Sequence, residues 1–241
     1  LIIPAHHNPA YSQTPIKDWA RGLSRSAQLR YNRVEGLFLV YKLKVSGRSL
    51  KNVTLFAEGG YGASNRSPRW EGGASYRSPK LDLRFSIFDR TETNDREVIR
   101  TGENTIFTLL FKWDYRDYYR AKNGFEAKGS YRANSNILVL GRLTAFTYAN
   151  MPLAFSTGWS LFHRGRPFRI NPAIQSGGAG LIQIGAVYDN NIRSPLFRNA
   201  WYVNVLYERG FREFEYNGFI IAVKRHQKLI LGNQAVILRA R

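Results

Sequence analysis

The most restrictive feature of this sequence is a two-residue period that recurs along it without becoming a long apolar run. From Lys80 to Ile87, Leu81, Leu83, Phe85 and Ile87 fall on one side and Asp82, Arg84 and Ser86 on the other. Phe125, Ala127, Gly129 and Tyr131 likewise oppose Glu126, Lys128, Ser130 and Arg132. The pattern returns at Leu153 to Leu161, Ile182 to Asp189 and Trp201 to Glu208. Successive side chains of a strand point to opposite faces, so each stretch predicts a strand with one apolar face.

The composition of the two faces narrows the architecture. Apolar faces packed together in a sandwich favour Val, Ile and Leu. Here the apolar face is rich in Tyr, Trp and Phe, often near strand ends, and the other mixes Gly and Ser with charge. An aromatic girdle outside and a polar lumen inside account for both. No run of 18 or more apolar residues exists, which excludes a membrane-spanning helix but not spanning strands. The expected fold is all-β, an antiparallel transmembrane β-barrel with about 11–12 strands in this chain and one short helix in a connection. A soluble sandwich or barrel is the alternative.

Turn residues divide the chain. Residues 1–27 read as a linker with a short helix near Ile16 to Arg21, started by Thr14-Pro15 and stopped by Gly22. Residues 28–241 read as barrel. Strands are expected near 29–45, 51–63, 69–77, 80–88, 123–133, 136–149, 152–163, 179–189, 199–208, 212–225 and 227–241, with a long loop at 164–178. Between Glu103 and Arg120 the apolar residues Ile106, Leu109, Leu110 and Trp113 follow a period nearer 3.6. That predicts a helix in a connection, with Asn123-Gly124 as its stop, and a buried strand at Thr105 to Phe111 is the alternative.

The charge balance points to anionic partners. Lys and Arg number 36 against 17 Asp and Glu, a net charge of +19. Alternation places Arg84, Lys128, Arg132 and Arg142 in the lumen, where they would favour anions. Arg166, Arg169, Arg193 and Arg198 fall in loops or near strand ends, placed to meet the phosphates of lipopolysaccharide in an outer membrane. The basic residues are spread over every strand, so no nucleic-acid partner is expected.

Signals for catalysis are weak. There is no Gly-x-Ser-x-Gly elbow and no metal-binding histidine spacing, so no catalytic residue, metal or cofactor is expected. Ser160 and His163 read as wall residues on opposite faces. Asp114 and Asp117, or Glu213 and Glu215, read as counter-charges to nearby Arg and Lys. Glu35 shares the parity of Leu37, Leu39 and Tyr41, so a carboxylate there would face lipid at high cost. Either a bulge near Gly36 turns it inward or it lies beyond the hydrocarbon, and it is expected to pair with an arginine in the lumen or at the periplasmic rim.

Three segments resemble the bacterial surface-antigen barrel superfamily, which includes outer-membrane insertases and two-partner secretion transporters. They are Arg30-Tyr31-Asn32-Arg33-Val34-Glu35-Gly36-Leu37-Phe38, Trp113-Asp114-Tyr115-Arg116-Asp117-Tyr118-Tyr119 and Phe168-Arg169-Ile170-Asn171-Pro172. Arg33, Glu35 and Gly36 carry the first match. The resemblance implies a bacterial outer-membrane barrel of sixteen strands preceded by periplasmic domains, with an Arg-Gly-Tyr loop after strand eleven. This sequence stops before such a loop, so it is expected to be the first part of a larger barrel, completed by further residues or other protein chains. The implied roles are a pore, or a protein or lipid translocation or assembly barrel. An anchoring subunit of an outer-membrane complex and an outer-membrane lipid hydrolase are the alternatives.

Overall fold

A computed structural model describes residues 23–46, 51–94, 99–154, 158–163, 165–190, 200–228 and 235–240. The helix expected near Ile16 to Arg21 lies outside these residues, as do Arg193 and Arg198.

The fold is all-β, with one short helix. Its strands are β1 (Leu23–Asn32), β2 (Gly36–Ser46), β3 (Val53–Gly62), β4 (Ser67–Arg77), β5 (Leu81–Glu92), β6 (Tyr119–Arg132), β7 (Ile137–Asn150), β8 (Gly177–Asp189), β9 (Ala200–Arg212), β10 (Tyr216–Lys228) and β11 (Ala235–Ala240). The helix α1 (Thr101–Phe111) lies between β5 and β6. All eleven strands form one sheet in sequence order, each antiparallel to the next. β1 begins at Leu23, inside the segment read as a linker.

Register converts the sequence alternation into continuous rows across the sheet. Leu83, Gly129, Gly141, Ile184, Tyr207 and Phe219 stand side by side on β5 to β10. One residue along each strand lies a second row, Arg84, Lys128, Arg142, Gln183, Glu208 and Gly218. The first row is exposed or half-buried, with Ile184 at 58% and Phe219 at 72%. The second face holds buried polar residues, Ser86 at 0% and Glu126 at 3%. A water-soluble sheet has the opposite distribution.

The sheet curls around its polar face. One hollow of about 780 Å³ is lined by residues from Arg30 on β1 to Leu206 on β9. The two longest connections described, 93–118 and 151–176, leave the same end of the sheet. At the opposite end the β4–β5 and β6–β7 hairpins are tight. Ser78 donates its N–H to the Leu81 carbonyl (2.7 Å), and Ala133 to that of Ile137 (3.1 Å).

α1 is inverted in the same sense as the sheet. Its buried residues are Asn104 and Thr108, while Ile106 is 55% exposed. It stops at Lys112, which takes a left-handed conformation (φ 58°) and donates its N–H to the Thr108 carbonyl. The expected stop, Asn123-Gly124, instead lies within β6, where the register slips between Lys122 and Phe125. This is a β-bulge, and Asn123 takes φ 47° there.

Two other expectations are corrected. The strand expected at 29–45 is a hairpin, β1 and β2 joined by Arg33, Val34 and Glu35. Gly36 opens β2 with φ 68°, a conformation costly for other residues. The strand expected at 152–163 is not formed: residues 152–154 and 158–163 are irregular and run over the end of the sheet.

Inside the sheet, Phe38 on β2 is 1% exposed and lies across Gly60 on β3, where any Cβ would overlap its ring. Gly60→Val is therefore expected to destabilise the fold by about 1–3 kcal/mol through overpacking. Gly59→Val, where a Cβ meets nothing, is the matched control. Denaturant unfolding of the two variants checks this: equal midpoints would show that the Phe38 seat carries no stability.

Candidate functional site

The polar face of the sheet and the buried knot at one of its ends are built from the same kinds of group. The knot begins with the β1–β2 turn. Asn32 Oδ1 accepts the backbone N–H groups of Val34 (3.1 Å) and Glu35 (2.7 Å), which folds the chain back and sends the Arg33 side chain beneath the long connections. Arg33 is completely buried. It donates from Nη1 to the Asp114 carbonyl (3.0 Å) and from Nη2 to Asp117 Oδ1 (2.7 Å) and Asn171 Oδ1 (3.1 Å). Its backbone N–H donates to Asp114 Oδ2 (3.0 Å).

Asp114 is the acceptor around which the knot closes. Its Oδ1 accepts Asn104 Nδ2 of α1 (2.9 Å), the Tyr118 hydroxyl (3.0 Å) and the Arg116 N–H (3.2 Å). Burial, and then the Asp114 carboxylate, push the Tyr118 hydroxyl above the ordinary tyrosine value, so it stays a donor. Asn171 ties in the second connection: its Nδ2 donates to the carbonyls of Tyr118 (2.7 Å) and Met151 (2.8 Å). The three segments singled out in the sequence, around Arg33, Asp114 and Asn171, therefore meet at one place.

Glu35 lies in the turn, 1% exposed, rather than on a strand's apolar face. It accepts hydrogen bonds from Asn32 Nδ2 (2.8 Å) and the Thr91 hydroxyl (2.5 Å), and Arg69 Nε stands 3.7 Å away. A carboxylate so placed joins the β1–β2 turn to β4 and β5.

Below the knot, the hollow carries a grid of ion pairs. Glu126 meets Arg142 (2.6 Å), Lys128 (3.0 Å) and Arg90 (3.9 Å); Glu71 meets Arg90 (2.6 Å) and Arg84 (2.8 Å). Arg84, Lys128 and Arg142 line this hollow, and Arg132 ends the same face of β6. Eight lining residues are Lys or Arg and four are Asp or Glu, so the wall is net cationic. Such a grid attracts anions while its own pairs hold each side chain in place.

The loop arginines differ among themselves. Arg166 is exposed, and its carbonyl accepts Lys112 Nζ (2.6 Å). Arg169 is exposed but held by Asp117 (2.5 Å), so it belongs to the knot's outer layer. Ser160 is buried, and its hydroxyl accepts the backbone N–H of His163 (3.3 Å), not its ring. Asn104, Glu71 and Arg90 were not singled out from sequence. Asn104 lies on the polar face of α1, the face that packs inward although the apolar period alone would turn it to the outside.

Removing the Asp114 carboxylate takes away the buried counter-charge of Arg33 (3.5 Å) and leaves the Arg33 and Arg116 N–H groups, Asn104 and Tyr118 without their common acceptor. Asp114→Ala is expected to cost about 3–5 kcal/mol of unfolding free energy. Asp117→Ala removes a half-exposed partner and should cost about 1 kcal/mol or less. Equilibrium unfolding of both variants decides: equal losses would refute the central role of Asp114.

No curated protein matches the chain. Residues 11–167 match the C-terminal domain of a family of unknown function, DUF5686, and this stretch carries β1 to β7, α1 and all of the knot except Arg169 and Asn171. The chain therefore belongs to the DUF5686 C-terminal domain family.

Proposed function

We propose that this chain forms the wall of a transmembrane β-barrel in a bacterial outer membrane, acting as an anion-favouring pore or as a protein or lipid translocation or assembly barrel of the surface-antigen type. The observation that carries the reading is the inverted distribution of side chains. Thirty large apolar or aromatic side chains are exposed among the described residues, while Arg33, Glu35, Ser86 and Glu126 are buried. In water an apolar surface of this extent would drive association. In a bilayer it meets acyl chains, and the sheet satisfies its backbone groups strand to strand.

Two further features support the reading. The two longest described connections leave the same end of the strands, as the long loops of outer-membrane barrels do, although the β1–β2, β3–β4 and β9–β10 turns at that end are short. The net cationic hollow suits an anionic solute or cargo. Outer-membrane lipid and the phosphates of lipopolysaccharide are the proposed surroundings, with exposed Arg166 as a contact. Further strands, from this protein or another chain, would cover the free edges of β1 and β11. The chain is proposed to have no enzymatic activity.

Membrane extraction, gel migration and bilayer recording of the full-length protein test this. The expected results are a detergent-extracted band that shifts on boiling, and conductance with a reversal potential favouring chloride over potassium. Lys128→Glu together with Arg142→Glu should lower or reverse that preference. A band that does not shift, from a protein found in the soluble fraction, would reject the barrel. A shifting band without conductance would favour the anchoring role over the pore.

A further inference from the structure

The charged hollow has an aromatic neighbour. On the same concave face, towards the end bearing the long connections, lies a recess of about 910 Å³. Its wall is a chain of rings. Tyr119 and Tyr148 lie 4.8 Å apart between centroids, Tyr148 and Phe146 4.7 Å, and Tyr148 and Phe214 5.4 Å. The β6 bulge builds this wall: Glu126 and Lys128 line the charged hollow, while Tyr119 and Ala121, of the opposite parity, line the recess. Asn94 and Gln175 bring amide groups to the lining and Tyr119, Tyr148 and Tyr216 bring hydroxyls, whereas the Thr144 hydroxyl is spent on the Phe125 carbonyl (3.0 Å). Arg90 and Arg142 line both spaces; Arg90 is held between Glu71 (2.6 Å) and Glu92, which also lines the recess, whereas Arg142 is paired with Glu126 (2.6 Å) and is part-exposed.

This juxtaposition selects for chemistry. A ring face attracts weakly polarised C–H groups and gives a flat, apolar platform. Amides and hydroxyls beside it supply hydrogen bonds in several directions. An acyl chain would cover the rings but leave those polar groups unmatched, at a cost. A saccharide matches both, through its C–H face and its hydroxyls. Arg142, at the junction with a net cationic wall, adds a preference for negative charge on the next unit.

We propose that the aromatic recess and the adjoining Arg142 form a binding site for an anionic saccharide, its rings against Tyr148 and Phe146 and an acidic group at Arg142. The site deepens the lumen reading above and rests on it, since it needs the concave face open to solvent.

The test is calorimetric titration of the folded, detergent-extracted full-length protein with trigalacturonate, neutral maltotriose, inorganic phosphate and decanoate. Trigalacturonate is expected to bind most tightly, maltotriose more weakly and phosphate weakest. Tyr148→Ala should weaken both saccharides by roughly tenfold, and Arg142→Gln should weaken trigalacturonate alone by a similar factor. Tyr148→Phe, which keeps the ring, should retain saccharide binding and guards against misfolding of the alanine variant. Unchanged saccharide affinity in Tyr148→Ala, phosphate competing as well as trigalacturonate, or decanoate bound in preference to both saccharides would each overturn the proposal. Failure of the lumen reading is separately visible as absence of the heat-shifted band, whatever the titration gives.

Discussion

A single buried guanidinium holds the end of this molecule together. Arg33 takes its partners from residues 81, 84 and 138 positions away, two on the connection 93–118 and one on the connection 151–176. Without those partners, a full positive charge would sit out of water at a cost of several kcal/mol. The requirement works in both directions. The connections at 93–118 and 151–176 must come to the β1–β2 turn to neutralise Arg33, and the turn must be tight to present it. The ordered path of two long connections thus results from one residue that cannot be left alone.

The same rule governs the wall beneath. Glu71 and Glu126 each draw on more than one cation, so the pairs form a lattice rather than isolated bridges. A lattice resists the loss of any single contact better than separate pairs do, because the remaining neighbours still solvate the charge. The outer face needs no such arrangement. Its side chains are mostly apolar, with Arg209 and Asn217 among the exceptions, and its rows of Gly and Ala beside Leu, Phe and Ile give a shallow relief along the strands. Specific polar pairing inside and interchangeable apolar side chains outside are two consequences of one inversion.

Much of the sheet was legible because alternation is a local property. The stretch from Leu81 to Ile87 needs no partner to be read as half of a strand, and its observed strand begins at the same residue. The β1–β2 turn was hidden for a physical reason. It holds three residues, so Leu29 and Tyr31 before it share odd parity with Leu37 and Leu39 after it. The alternation passes through the turn unbroken, and only Gly36 marks it. The opposite failure occurred at Leu153 to Leu161, where alternating residues belong to an irregular segment that lies across the sheet's end. There Tyr31 donates its hydroxyl to the Trp159 carbonyl (2.9 Å), a contact spanning 128 residues. The candidate site was half legible. Arg84, Lys128 and Arg142 are placed by parity, whereas the meeting of Arg33 with Asp114 and Asn171 depends on how distant connections fold back, which no local period encodes.

The β6 bulge has a consequence for how such a chain can change over time. A wall with one face for each parity is written in a reading frame of two. One residue added within a strand exchanges inside for outside for every position up to the next turn. The surplus residue between Lys122 and Phe125 is such a frameshift, already accommodated: it lets Tyr119 and Lys128 face the same interior from one strand. Long connections carry no frame, so length can vary there freely. Within strands, insertions would be tolerated in pairs, or singly where a bulge restores the inward and outward sense of the residues beyond it.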